Sequence, residues 1–324
     1  MEQAQAQRDL LRTPSAVIGP IQPSSGTPPQ MVLGVQTSLA DIRKASMTMT
    51  VGKTACSLHT AATEAQMKIV YALSGLEKIV LKHRLAIIES ATSRLDELIA
   101  ENMRSVIAQN LTAPALYSLQ NAKVRLDTSR TAALTGLASP YVPPVSDVPL
   151  KDLVAMKLAA EDGVISSEVR LAKESVWDVK LSGGVHKQIT PTPAGSPDTT
   201  SKGPYAEFSL TYNLGRRAID SHLDKSVTAY NEWKSTQFDD VAAQANVLRR
   251  QIEDTVKAQE EELVVLRRHD GEIEATLRSL DGVDTSAALT FQNELIADQT
   301  VLRVDIEDIQ FRIDQLKNYL MVNF

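Results

Sequence analysis

The sequence predicts a mainly α protein with a small β part, in which a long antiparallel coiled-coil hairpin occurs twice and two β-hairpins accompany it. Three observations carry this. Two stretches, residues 41–109 and 216–280, run without proline and almost without glycine; each can be one helix ~100 Å long at ~1.5 Å per residue. The order helix, β-hairpin, long helix, turn, shorter helix appears in the first half of the chain and again in the second. Aromatic residues make up only 4% of the 324 residues, which suits extended helices better than a core built on rings.

Residues 1–12 read as a helix that Pro14 stops. Two β-like runs follow, Ser15–Ile21 and residues 31–39, joined by the turn-rich residues 22–29 with Pro23, Gly26, Pro28 and Pro29. The first long helix spans residues 41–109 and contains only Gly52 and Gly75 as weak points. A break at residues 110–114 leads to a helix over residues 115–137. Residues 139–149 hold four prolines, Pro140, Pro143, Pro144 and Pro149, and read as a linker. The chain thus divides into a first structural repeat, residues 1–138, the linker, and a second repeat, residues 150–324.

In the second repeat a helix over residues 150–176 precedes strand runs at residues 177–189 and 205–214, with a loop rich in proline and glycine between them. Residues 216–280 are expected to form one helix, Asp281-Gly282-Val283-Asp284 breaks it, and residues 286–320 form the last helix. Short matches align the two halves. Arg43-Lys44-Ala45 and Arg216-Arg217-Ala218 open the long helices, while Leu119-Gln120-Asn121 and Phe291-Gln292-Asn293 stand just past their far turns. The separations from Arg43 to Gln120 and from Arg216 to Gln292 agree within one residue, so duplication is the better account.

Periodicity says how the helices pair. Ile252, Val256, Gln259, Leu263, Leu266, Asp270, Ile273, Leu277 and Leu280 follow alternating steps of four and three. Leu295, Gln299, Leu302, Ile306, Ile309, Ile313, Leu316 and Leu320 form the matching seam, so the two segments read as an antiparallel coiled-coil hairpin. A weaker seam runs through Leu81, Leu85, Ile88, Thr92, Leu95, Ile99, Asn102 and Val106.

The strand runs alternate. Trp177, Val179, Leu181, Gly183 and Val185 fall on one face, against Asp178, Lys180, Ser182, Gly184 and His186 on the other. Ala206, Phe208, Leu210 and Tyr212 likewise oppose Tyr205, Glu207, Ser209 and Thr211. One face suits an apolar medium and the other water. Runs of about 9 to 11 residues with this pattern fit strands that cross a membrane, and also the half-buried hairpin of a soluble protein. In the first reading Trp177, Val179, Leu181, Val185, Phe208, Leu210 and Tyr212 form the outer face of a barrel. Four strands cannot enclose a wet lumen, because about eight only suffice to pack side chains inside. Several copies would have to close one barrel, giving an oligomeric α-barrel/β-barrel tube.

Composition removes other classes. The formal charge is −6 and the isoelectric point about 5.5, with no basic stripe beside stacking aromatics, so sequence-specific nucleic-acid binding is not expected. Cys56 stands alone, and the five histidines are scattered without a metal-ligand spacing. No phosphate-binding loop, nucleophile motif or dinucleotide fingerprint occurs. The expectation is a protein that is not an enzyme and has no metal and no cofactor. No run of about 18 apolar residues is present, which argues against a spanning helix. The polar start, Met-Glu-Gln-Ala-Gln-Ala-Gln, reads as carrying no export signal.

Two segments carry a family resemblance. Gly203-Pro204-Tyr205-Ala206-Glu207-Phe208-Ser209-Leu210-Thr211-Tyr212-Asn213-Leu214, leading into Gly215-Arg216-Arg217-Ala218, looks like the strand that enters the long helix in the TolC family of outer-membrane efflux proteins. Asn110-Leu111-Thr112, Leu119-Gln120-Asn121-Ala122 and Leu126-Asp127 look like that family's helical tip. With the ordered architecture, the resemblance covers essentially the whole chain. It implies a trimer with a twelve-stranded barrel over a tapering α-helical tunnel, within the broader expectation of a homo-oligomer, a trimer or higher ring. It further implies membrane contact through the barrel and docking of an inner-membrane pump and its adaptor.

Two departures from the family's pattern stand out. Thr290 and Asn293 occupy the positions where that family's second tip carries aspartates, and no cysteine for lipidation lies near the N-terminus. The residues expected to form the tip, as a gate or docking surface, are Asn110, Thr112, Ser118, Asn121, Asp281, Gly282, Asp284, Thr290 and Asn293. The leading functional expectation is a passive conduit for export or efflux that spans the outer membrane and periplasm. The first alternative is a subunit of a phage virion tail or genome-ejection tube, with portal or other tail proteins as partners. The second is a coiled-coil scaffold without a lumen.

Overall fold

A computed structural model describes residues 2–21, 30–107, 113–138, 143, 145–174, 176–188, 202–212, 214, 216–236, 240–283 and 285–324. In chain order the elements are α1 (Glu2–Arg12), β1 (Ser15–Ile21), β2 (Gln30–Ser38), α2 (Leu39–Ile107), α3 (Ala113–Leu137), α4 (Leu150–Lys173), β3 (Trp177–Gln188), β4 (Lys202–Tyr212), α5 (Arg216–Thr236), α6 (Val241–Ser279) and α7 (Ser286–Asn323). Helix α2 has 69 residues, as its freedom from proline permits.

The second proline-free stretch corrects the sequence expectation. It forms two helices, α5 and α6, rather than one. Asp240 is the N-cap residue of α6 and has extended backbone angles, φ −68° and ψ 148°. Its side chain makes no capping hydrogen bond to the first turn, so the break is set by the backbone. Lack of proline and glycine permits a helix to continue but does not compel it.

Two compact units draw on both halves of the chain. The first takes residues 1–63 and 154–238, the second residues 64–153 and 239–324. In the first unit all four strands form one antiparallel sheet in the order β1-β2-β3-β4. The two expected hairpins are therefore joined, through pairing of β2 with β3 from Gln30↔Gln188 to Ser38↔Lys180. Small residues let the helices of this unit approach. A Cβ added at Gly52 of α2 would stand 2.6 Å from the Ala4 Cβ of α1, and one at Gly163 of α4 would stand 3.5 Å from Thr54 Cγ2 of α2.

In the second unit α7 packs against α6 and against α3. The α6 seam is buried at Ile252, Val256, Leu263 and Ile273. Its polar position Asp270 accepts from Gln299 Nε2 of the opposing seam at 2.8 Å. A different face of α7, Ala297, Val301 and Val304, joins Ile88 and Leu95 of α2 and Leu119, Ala122 and Leu126 of α3 in one apolar core. Ile88, Leu95 and Leu119 are fully enclosed, and burial of each such side chain stabilises by about 1.5–3 kcal/mol. A hydrogen-bonded pair also links the proline-rich segment to α2: the buried Lys68 Nζ donates to Ser146 O at 3.2 Å and to Val148 O at 2.6 Å. Burial holds the Lys68 pKa below its ordinary value, against the raising effect of Asp147.

Candidate functional site

The sheet is two-sided by register. Paired residues of antiparallel strands share a face, so Trp177↔Tyr212, Val179↔Leu210, Leu181↔Phe208 and Val185↔Pro204 lie on one side. The pairs Leu33↔Val185 and Val35↔Gly183 carry that side onto β2, and Ile18↔Leu33 carries it onto β1. All seven residues expected on an outer face, Trp177, Val179, Leu181, Val185, Phe208, Leu210 and Tyr212, therefore stand together. Ile18, Met31, Leu33 and Val35 join them, and Phe208 and Ile18 reach 66% and 71% exposure. The sequence reading missed these four, although Met31, Leu33 and Val35 alternate as regularly as the residues of β3. Trp177 and Tyr212 close one end of this face as a tilted ring pair with centroids 4.4 Å apart.

The opposite face is polar and internally bonded across β3 and β4, while β1 and β2 bring Val17 and the buried Val32 to it. Ser38 Oγ donates to Asp178 Oδ1 at 2.6 Å and accepts the Asp41 amide at 3.1 Å, so one hydroxyl caps α2 and ties β2 to β3. Lys180 Nζ lies 3.7 Å from Asp178 Oδ2, and Ser182 Oγ donates to Glu207 Oε2 at 3.5 Å. Glycines draw the strands together here. A Cβ added at Gly184 would meet Leu33 O at 2.2 Å, and one at Gly34 would meet Gly183 O and the Tyr205 hydroxyl at 2.6 Å. Side chains at these paired positions would force the strands apart, so glycine fits the sequence's Gly183-Gly184 step.

Among the described residues β1 and β4 pair on one side only. Each carries a proline, Pro20 and Pro204, as edge strands tolerate. Two edges with free amides and carbonyls flank a face of exposed apolar side chains. Such a sheet is suited to pairing with further strands and to an apolar medium. No group of three or more histidine, cysteine, aspartate or glutamate residues able to hold a metal exists among the described residues. No described helix is long and apolar enough to cross a membrane.

The second candidate region is the turn end of the helices in the second unit. Gly282 takes φ 78°, a conformation that favours glycine, and Thr285 Oγ1 caps α7 by accepting the Ala288 amide at 3.2 Å. Gln292 Nε2 donates to Leu280 O at 2.8 Å, which satisfies a terminal carbonyl of α6. Asn293, buried, donates from Nδ2 to Asn102 Oδ1 of α2 at 2.9 Å. This bond holds the start of α7 beside the end of α2.

Of the expected tip residues, Thr290 is half-buried and bonded to Ser286 O, while Asp281 and Gly282 are exposed in the turn. Ser118 donates to Pro114 O at 3.3 Å. Ser118 and the exposed Asn121 line a groove between α3 and α7 with Tyr117, Arg125, Glu294 and Asp298, of about 480 Å³. Asn110, Thr112 and Asp284 lie outside the described residues.

No family model and no curated protein matches the sequence. Among solved structures the chain is similar to the outer membrane protein VceC of Vibrio cholerae, at 12% identity over 100% of this chain and 90% of that one, with a TM-score of 0.49. It is similar to the outer-membrane channel OprN at 13% identity over 100% of this chain and 85% of that one, with a TM-score of 0.48. The CmeC outer membrane channel of Campylobacter jejuni gives 12% identity over 99% of this chain and 79% of that one, with a TM-score of 0.46. These three solved outer-membrane proteins share 12–13% identity with the chain over 99–100% of its length, each at a TM-score below 0.5.

Proposed function

We propose that the chain is the subunit of a homo-oligomeric tube, a trimer or larger ring, that acts as a passive conduit for export or efflux across a cell envelope. In this reading it spans the outer membrane and periplasm and works with an inner-membrane pump and its adaptor. The observation that carries the reading is the sheet: one continuous exposed apolar face, an opposite face that is polar and bonded across β3 and β4, and two strand edges without partners among the described residues. A soluble monomer would leave that apolar face in water and both edges open to aggregation. Pairing β1 of one copy with β4 of the next removes the edges, turns the apolar faces to lipid and gathers the polar faces around a wet lumen. Three copies supply twelve strands.

Dimensions agree with a membrane band. From Trp177 to Lys187 the strand β3 runs roughly 33 Å at ~3.3 Å per residue, and a tilt of about 40° reduces this to the ~25 Å height of an apolar barrel girdle. The turn end of the helices, held by Asn102 and Asn293, is in this reading the end that docks a partner or constricts the tunnel. Conductance tests the function. The full chain reconstituted into a planar bilayer should give discrete, stable current steps. Insertion into vesicles without any conductance would contradict a conduit.

A further inference from the structure

On the bonded face of the sheet, toward the end away from Trp177 and Tyr212, register sets Gly19, Val32, His186 and Gly203 side by side across the four strands. His186 is half-buried, and its Nδ1 is buried without a hydrogen-bond partner among the described residues. The ring is seated on the bare backbone of β4: a Cβ added at Gly203 would stand 3.0 Å from His186 Cε1. Val32, opposite it on β2, is 2% exposed. In the adjoining rows of this face Tyr205 is the one titratable residue and none is charged, while Lys187 and Lys202 belong to the other face. Two rows away, Glu207 accepts from Ser182. A neutral imidazole can hold this seat with Nδ1 as a bare acceptor. A protonated one carries an N–H on both nitrogens, and a buried donor without an acceptor, on a charged ring, is far costlier.

We propose that His186 is a proton-operated selectivity residue of the conduit. Neutral, it lies seated against Gly203 and Val32; protonated, it turns out into the lumen, where water serves both N–H groups. The switch rests on the conduit reading and deepens it by adding a regulation of ion preference. Histidine is the side chain whose charge ordinarily changes between pH 5 and 8. The ionised side chains of the described strands on this face, Asp178, Lys180 and Glu207, carry one net negative charge per copy, and one imidazolium per copy cancels it. Rings of charged side chains bias which ions enter a pore, so the barrel prefers cations while His186 is neutral and loses that preference once it is protonated.

The test is the reversal potential of the full chain in a planar bilayer under a potassium chloride gradient. The wild type should be cation-selective at pH 8 and move toward zero reversal potential at pH 5. His186→Gln should keep its pH 8 value at pH 5, and His186→Lys should give the shifted value at both. Gly203→Ala takes away the seat of the neutral ring, so it should move the midpoint of the transition to higher pH. A wild-type reversal potential that does not change with pH, a change of the same size in His186→Gln, or an unmoved midpoint in Gly203→Ala would each overturn the switch while leaving the conduit intact. Absence of conductance at both pH values would overturn both.

Discussion

Arg84 of α2 donates to Asp308 of α7 at 2.6 Å, across 224 positions of sequence, and the Asp308 side chain is only 3% exposed. Arg84 also reaches Asp305 Oδ1 at 3.2 Å and Ser129 Oγ of α3 at 3.2 Å, so one guanidinium joins three helices. The second Asp308 oxygen, Oδ1, is buried without a hydrogen-bond partner, which makes the ion pair the main compensation for a buried charge. Arg84→Met should destabilise by about 3 kcal/mol, and Arg84→Met with Asp308→Leu should recover most of the loss, because an apolar pair removes the stranded carboxylate. Denaturant unfolding of the three proteins measures both. A double variant no better than the single one would show that the pair is needed for more than charge balance.

Asp305 adds a pH dependence. Burial raises its pKa above the ordinary 3.8, outweighing the lowering effect of Arg84, and the neighbouring Asp308 raises it further. A carboxyl with a raised folded-state pKa binds more protons folded than unfolded, so its cost to stability develops as pH rises through the window above 3.8 and is complete beyond the folded pKa. Asp305→Asn should therefore raise the melting temperature at pH 7, modestly because the carboxylate is partly exposed. The difference should vanish as pH falls toward 3.8. A melting temperature lowered equally at both pH values would contradict this.

The two faces of the sheet should respond differently to charge. Leu181→Arg and Phe208→Arg, opposite each other on the apolar face, should impair insertion or assembly by about 2–4 kcal/mol. Ser209→Arg, paired with Lys180 on the polar face, should be milder. Vesicle flotation and the yield of oligomer compare them. Equal tolerance on both faces would show that neither meets an apolar medium.

The turn end of the helices is tested by crosslinking. If the two turns converge as expected, Thr112→Cys with Val283→Cys in a Cys56→Ser background should crosslink, within or between copies. Absence of that crosslink, with efficient crosslinking of Leu39→Cys to Leu214→Cys, would favour a scaffold over a two-hairpin tube.

Much of the architecture was legible where one local rule governs. Proline and strand alternation set β1 within Ser15–Ile21 as expected, and the α6 seam was readable because Ile252, Val256, Leu263 and Ile273 repeat at coiled-coil spacing. Even the polar seam positions Asp270 and Gln299 find each other. What escaped was tertiary. The second buried face of α7 depends on α2 and α3 arriving from elsewhere in the chain, so Asp308 reads as an ordinary surface acid until Arg84 is beside it. The break before α6 has only Asp240 as its signal, and joining of the two hairpins through β2 and β3 leaves no mark on either strand alone. The apolar sheet face was legible in β3 and β4, and only register extended it to Ile18, Met31, Leu33 and Val35.

Copies of this chain are expected to close a ring. Light scattering coupled to size-exclusion chromatography of the detergent-solubilised full chain, corrected for bound detergent, measures it most directly. A ring gives a single species whose protein mass is three or more times 35.4 kDa, stable on dilution to micromolar chain concentration. A well-folded monomer of 35.4 kDa at that concentration would contradict it.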